Sequence, residues 1–276
     1  MEKINASIVL YNNKKEDVLN LIYSLLNTRL KIKVYLIDNS TSDKLKELSK
    51  LDDRLEYIFN NSNLGYGRAH NIAIKESIRN NVKYHIVINP DVIFDSTVIE
   101  SIYNFMEENN DVGNVMPKVL YPDGKVQRLC KMLPTPLDLI VRRFIHFKYL
   151  QKRINEIYEL HRIGYDKILN VPNLSGCFMF LRVEAIKEVG LFDENFFLYF
   201  EDLDLNRRIH YKYKTIYYPK VEIIHKYNRE SYKNIILLFH HIKSAIYYFN
   251  KWGWFFDRER KQINKQILNN LNLKIK

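Results

Sequence analysis

His85-Ile86-Val87-Ile88-Asn89-Pro90-Asp91 decides the fold class. A short apolar run stops abruptly at polar turn residues. Such a run, bounded by Asn, Pro and Asp, marks a buried strand. The pattern repeats upstream. Ser7-Ile8-Val9-Leu10-Tyr11 runs into Asn12, Val34-Tyr35-Leu36-Ile37 into Asp38-Asn39-Ser40, and Leu55-Glu56-Tyr57-Ile58-Phe59 into Asn60. Helical signals lie between them. Val18, Leu21, Ile22, Leu25 and Leu26 recur at helical spacing, a polar helix is read around 43–51, and 69–78 reads as another. This βαβαβαβ rhythm predicts an α/β fold with a mostly parallel, helix-covered central sheet.

In such sheets ligands bind beyond the carboxyl ends of the strands. Turn formation explains Asn, Asp and Pro at any one strand end. Four polar strand ends in series favour a site along one sheet edge. Asn63-Leu64-Gly65-Tyr66-Gly67-Arg68 enters a helix and resembles a Gly-x-Gly phosphate loop. It lacks the third glycine and the P-loop lysine, so the signal is weak. The glycines still permit close backbone approach by an anion, and Arg68 would add a charged donor.

After Pro117 the pattern changes. Residues 119–126 read as a hairpin turning on Pro122-Asp123-Gly124. Residues 137–162 read as one helix in which Arg142, Arg143, Lys148, Lys152 and Arg153 interleave with aromatics and aliphatics. A solvated face and a membrane-surface or acceptor-binding helix explain it equally well. Ser175-Gly176-Cys177 is a small-residue turn before a buried strand. Residues 183–189 form a short helix ended by Gly190.

Phe196-Phe197-Leu198-Tyr199-Phe200-Glu201-Asp202-Leu203-Asp204 is the densest feature in the chain. Acids in a first helical turn complement the helix dipole, and pairing with Arg207 or Arg208 accounts for Asp204. Acids directly after apolar aromatics are a different matter. Apolar surroundings raise a carboxylate pKa, which suits a general base. Glu201 and Asp202 are the catalytic candidates. Two further strands are expected around Pro219, the second ending at His225. Asp91 and His225, both at strand ends, are types that bind Mn or Mg with positions left for phosphate oxygens. A helix over 235–249 carries His240-His241, whose adjacent positions diverge and make no metal motif. Trp252-Gly253-Trp254-Phe255-Phe256 and a basic tail follow, suited to a bilayer interface or to docking on the body.

Composition sets the bounds. The 276 residues are 46% hydrophobic, enough for a substantial core. Eight glycines and seven prolines exclude collagenous and linker-rich classes, and 20 tyrosines with 15 phenylalanines predict an aromatic core. Cys130 and Cys177 lack zinc or redox spacing. Met1-Glu2-Lys3 leads straight into a strand, so no signal peptide is expected. No apolar stretch approaches the ~20 residues of a membrane span. The net charge of +11 is uneven. Residues 1–125 hold 16 Lys+Arg and 17 Asp+Glu, whereas 126–276 hold 27 and 15. That asymmetry points to an anionic partner: nucleic acid, anionic lipid or a phosphorylated ligand.

Several ordered motifs together resemble the family 2 glycosyltransferases, in particular their rhamnosyltransferase-like branch. They are Tyr11-Asn12, Ile37-Asp38-Asn39-Ser40, 63–71, Asn89-Pro90-Asp91-Val92, Ser175-Gly176-Cys177, 190–204, and His225 with Ser231. The resemblance spans about residues 4–255. It implies a GT-A fold, with a Rossmann-like sheet and here a C-terminal helical extension. It further implies a nucleotide-sugar donor, a divalent metal (Mg2+ or Mn2+) and inversion at the anomeric carbon. Carried over by motif, Asp38 would bond the base beside Tyr11, and Asn63, Gly65 and Arg68 would lie near the nucleotide diphosphate. Asn89-Pro90-Asp91 stands where the family has its DXD motif, with Asn89 for the first acid. Asp91 and His225 would hold the metal. Asp202 would be the base, with Glu201 shaping its surroundings. Ser175, Gly176 and Cys177 would line the donor-sugar or acceptor pocket.

The expected division is a nucleotide-sugar half (1–125), an acceptor and catalytic half (126–232), and a basic aromatic helical region (233–276). The expected activity moves a sugar, best dTDP-L-rhamnose-derived, to a saccharide on a polyprenyl diphosphate during bacterial surface polysaccharide synthesis. UDP-hexoses and other dTDP-sugars are the alternatives. The expected setting is the cytoplasmic face of the plasma membrane, held peripherally by anionic lipid, with a homo-oligomer left open. A non-catalytic nucleotide-sugar binder is disfavoured by the intact Asp91, Asp202 and His225. A nucleic-acid binder is disfavoured by the lack of a recognition module.

Overall fold

The computed structural model describes residues 3–144, 148–161, 163–226 and 234–271. Four strands, β1 (Ile4–Leu10), β2 (Ile32–Asp38), β3 (Leu55–Phe59) and β4 (Tyr84–Ile88), lie in the order β3-β2-β1-β4, all parallel. Parallel neighbours need crossovers on the sheet faces. Helices α1 (Lys15–Leu26) and α2 (Tyr66–Arg79) and a 3-10 turn at Lys46–Lys50 supply them. The apolar run of β4 is wholly buried, as its lack of alternation requires.

Beyond β4 the sheet becomes mixed. Strands β5 (Val92–Ile93), β6 (Val112–Leu120), β7 (Leu169–Asn170), β8 (Phe178–Arg182) and β9 (Lys214–His225) extend it as β4-β8-β6-β9-β5, with β7 also on β9. Strand β8 is antiparallel to both β4 and β6, so the polar turn before β8 abuts the polar end of β4. The Asn89 N–H accordingly donates to the Cys177 carbonyl at 3.0 Å. The two strands expected around Pro219 are one strand. Its register against β6 jumps from Pro117–Tyr218 to Lys118–Glu222, so a bulge absorbs the proline without ending the pairing.

The helix expected over 137–162 is two, α4 (Pro136–Phe144) and α5 (Lys148–Tyr158). Helices α3 (Thr97–Glu108), α6 (Val183–Val189) and α7 (Glu201–Lys212) pack on the sheet. Helices α8 (Ile235–Trp252) and α9 (Arg258–Asn270) follow. Tyr248 and Phe249 of α8 bury against Leu133, Phe196, Phe200 and Leu203, so this face docks on the body. The opposite face does not. Ile235, Phe239, Ile242 and Ile246 recur at helical spacing and are exposed, as are Phe255 at 78% and Phe256 at 97%.

Inside, Ser7 Oγ lies 2.7 Å from His70 Nδ1 and 2.8 Å from His85 Nε2. His85 Nδ1 meets Ser77 Oγ at 2.7 Å. Burial pushes both histidine pKa values down, to about 3 for His85, so they act as neutral ties between β1, α2 and β4.

Candidate active site

Asp202 occupies the first turn of α7. Its Oδ2 accepts the Gly176 N–H at 2.8 Å and its Oδ1 accepts the Leu203 N–H at 2.8 Å. A Cβ on residue 176 would lie 3.1 Å from the Asp202 Cβ, so the absence of a side chain there lets the carboxylate seat on the turn. Burial raises the Asp202 pKa against the pull of these amides. Glu201 beside it is 5% exposed, and its Oε2 has no partner among the described residues. Burial, with the Asp202 charge second, lifts the Glu201 pKa well above its usual value. Burial thus disfavours ionisation of Glu201, while amide N–H groups favour the ionised form of Asp202 beside it.

The aromatic run delivers these acids. Tyr199 and Phe200 take left-handed backbone angles, with φ of 69° and 70°, immediately before α7. Two consecutive bulky residues there store strain that surrounding contacts must hold. Phe200 packs on Tyr248, and Tyr199 and Phe200 both meet the His241 ring at 5.2 Å.

Tyr66 links this centre to the end of β4. Its hydroxyl lies 2.6 Å from the Gly176 carbonyl oxygen and 3.1 Å from Asn89 Oδ1. His225 Nε2 lies 3.4 Å from Asp91 Oδ1 and 3.4 Å from Asn89 Nδ2. Gln127 fixes the histidine: its Oε1 faces His225 Nδ1 at 3.2 Å, and its Nε2 donates to the His225 carbonyl at 2.7 Å. Burial works to lower the His225 pKa, but Cys177 and Asp91 outweigh it and push it up to about 10.

Among the described residues no three His, Cys, Asp or Glu side chains converge as a metal cluster. The donor set at β4 is one carboxylate, one imidazole and the Asn89 amide. That fits Mg2+ or Mn2+, which bind through one or two protein carboxylates and complete their shell with water and substrate phosphates. The Gln127–His225 contact is the kind that orients a ligating imidazole.

The residues expected around the nucleotide are arranged differently from one another. Tyr11 is 52% exposed, and its loop is tied to the end of β2 through the Asn12 N–H to Ser40 Oγ bond. Asp38 is buried, accepting the Ser40 N–H at 2.8 Å and the Tyr57 hydroxyl at 2.7 Å. Asn63 Oδ1 accepts the Gly65 N–H, and Asn39 bridges to the Gly65 carbonyl. Gly65 has φ of 84°, and the Phe197 carbonyl oxygen would sit 2.3 Å from any Cβ there. The Tyr66 N–H donates to that oxygen at 3.0 Å. The close approach read as a cradle for an anion is therefore taken by another stretch of this chain. Arg68 faces Glu194 at 3.4 Å on the surface.

A cleft of about 690 Å³ runs past Asn89, Gly176, Glu201, Asp202 and His225, with Ser175 and Cys177 on its wall. The structure thus gathers most of the expected catalytic and metal-ligand set. It adds Tyr66, Gln127, Lys131 and Glu159, which sequence reading missed. Tyr66 stands inside the quoted 63–71 motif, whereas Gln127, Lys131 and Glu159 have no spacing signal and reach the cleft through chain crossings. Ser231 lies outside the described residues, as do the side chains of 143–148 and 150–153.

Residues 7–190 match the glycosyl transferase family 2. The chain belongs to that family. It is 24% identical over 201 residues to a low-salt glycan biosynthesis hexosyltransferase of Haloferax volcanii, covering 72% of this chain and 60% of that protein. It is 25% identical over 210 residues to an N-acetylglucosaminyl-diphospho-decaprenol L-rhamnosyltransferase of Mycobacterium tuberculosis, covering 72% and 68%. Its fold is that of a mannosyltransferase from Pyrobaculum calidifontis in complex with GDP-Man and Mn2+. There the TM-score is 0.57 at 13% identity, over 99% of this chain and 76% of that one. The GT-A fold expected from the motifs is the fold observed.

Proposed function

We propose that this family 2 chain is an inverting glycosyltransferase that moves a hexose, with L-rhamnose from dTDP-L-rhamnose as the first choice, onto a lipid-linked saccharide. The observation that carries the reading is Asp202, seated by two amide N–H groups and opening on the cleft that Asn89 and His225 also line, with Asp91 3.4 Å from the His225 ring. Residues 1–125 would hold the nucleotide, with Tyr11 against the base. Asp38 has its two oxygens engaged, so a base N–H would use one of their remaining lone pairs. Residues 126–232 would hold the acceptor, with Ser175 and Gly176 against the sugars.

In the reaction, Asp202 takes the proton of the acceptor hydroxyl as that oxygen attacks the anomeric carbon. The bond to the nucleoside diphosphate breaks on the opposite face, giving inversion without a covalent intermediate. Glu201, kept protonated by burial, adds no second negative charge beside the developing oxyanion. Asp91 and His225 would hold a divalent metal, which when bound supplies Lewis-acid stabilisation to the leaving diphosphate. The mycobacterial relative, named for a diphospho-decaprenol acceptor, and the basic 126–276 half support an anionic lipid-linked acceptor. The exposed apolar face of α8, continued by Phe255 and Phe256, supports peripheral attachment to a bilayer.

The test is a donor screen by thermal shift and product release, with and without Mn2+ or Mg2+. A dTDP- or UDP-sugar should raise the melting temperature only with metal, and Asp91→Asn should remove the rise. If no nucleotide sugar binds or turns over, the reading fails.

A further inference from the structure

A second charged centre lies in the same cleft, on the wall formed by the 126–135 segment and the α4–α5 pair. Glu159, which follows α5, is its hub, with only 13% of its side chain exposed. Its Oε1 is hydrogen bonded by Arg142 Nη2 of α4 and faces Lys131 Nζ at 4.0 Å. Its Oε2 faces His161 Nε2 at 3.0 Å. Arg142 is braced further, donating from Nε to Asn155 Oδ1 at 2.9 Å and lying over the Tyr158 ring at 4.8 Å. Arg128 donates to the His161 carbonyl at 2.9 Å and also lines the cleft.

One carboxylate thus serves Lys131, Arg142 and His161, with Arg128 close by. Among the described residues of this wall, Arg128, Lys131 and Arg142 stand with Glu159, while Glu201 and Asp202 lie elsewhere on the cleft lining. A cleft wall on which cationic side chains cluster draws anionic groups toward it. Lys131 is also tied to the turn that seats Asp202. Its N–H pairs with the Asn173 carbonyl at 2.9 Å in an isolated antiparallel bridge, two residues before Ser175-Gly176. Burial, then the Arg142 charge, lowers the Lys131 pKa, with Glu159 and Asp202 opposing the shift.

We propose that Lys131 and Arg142, held by Glu159, form a binding site for a phosphate or diphosphate group of the acceptor, placing its sugar hydroxyl toward Asp202. The proposal rests on the acceptor reading above, because it gives that substrate its anionic anchor. Arg142 supplies a planar fork matched to phosphate oxygens and Lys131 a movable point charge.

The test uses the full chain, with EDTA present to silence any metal site. Inorganic pyrophosphate, geranyl diphosphate and geraniol are titrated calorimetrically. Pyrophosphate and geranyl diphosphate should bind and geraniol should not. Lys131→Met and Arg142→Gln should each weaken both diphosphates by about tenfold. UDP or dTDP binding with Mn2+ should stay unchanged in these variants, while Asp91→Asn should show the reverse pattern. Lys131→Met preserves stem volume and keeps the test decisive if Arg142→Gln folds poorly. Diphosphate binding that is absent from the wild type, or unaffected by both substitutions, overturns the site. Pyrophosphate binding without geranyl diphosphate binding overturns the lipid-linked source. Loss of nucleotide binding in the wild type would instead fail the transferase reading.

Discussion

Asp202 and Glu201 are adjacent in sequence and opposite in electrostatic fate. Asp202 has amide donors on both oxygens, whereas Glu201 Oε2 has none among the described residues. Asp202→Asn keeps the shape and removes the proposed base, so kcat should fall by about 10²–10⁴-fold with donor binding retained. The Asp202 pKa is raised above 3.8, and the base must be ionised to work. The wild-type rate should therefore fall tenfold per pH unit below a limb lying above the usual aspartate value. For Glu201 the sign of linkage is the reverse of a paired acid. Its folded pKa lies above the unfolded value of about 4.5, so folding is increasingly penalised as pH rises through that value. Thermal melts at pH 5 and pH 8 should show Glu201→Gln losing less stability over that rise than the wild type. Equal losses would deny the buried protonated acid.

At the scale of elements, α7 is the part on which the centre depends, and both its ends are clamped. Its start is set by the left-handed turn at Tyr199–Phe200. Inside, Asp204 is fully buried between Arg208 at 2.9 Å, Lys251 at 2.8 Å and the Trp252 indole N–H at 2.8 Å. The Asp204–Arg208 pair expected from i,i+4 spacing is therefore present, with structural rather than catalytic partners. Arg207 turns instead to Asp257, forming two bonds at 2.7 and 2.8 Å. Both side chains are nearly inaccessible, and Asp257 also caps α9. Removing one member of a buried pair strands the other charge. Asp257→Ala should cost roughly 3–5 kcal/mol in urea unfolding. A loss below about 1 kcal/mol, the size of a surface pair, would show that the clamp carries little.

For the whole molecule, the charge asymmetry and the apolar face of α8 lie on the same half. A bilayer contact needs apolar insertion and basic attraction together, because either alone binds weakly. Phe255→Ser with Phe256→Ser should reduce sedimentation with anionic vesicles by about tenfold or more, since each ring would lose on the order of 2 kcal/mol of burial. Unchanged sedimentation would separate α8 and its following turn from any membrane role.

The sequence by itself determined the parallel βαβ half, because buried parallel strands read as short unbroken apolar runs ended by polar turns. It also determined the ordered motifs that mark the family, and it placed Asn89, Asp91, Glu201, Asp202 and His225, the proposed site residues, at legible strand and helix ends. Tertiary structure alone decided the rest. It filled the Gly65 loop with the Phe197 carbonyl, turned Arg68 to Glu194, and joined the strands around Pro219 across a bulge. It also brought Lys131, Arg142 and Glu159 to one cleft wall. Periodicity records which residues are buried, not which buried surfaces meet. Those contacts come from long-range packing, where one backbone carbonyl can occupy the space that a local motif left open.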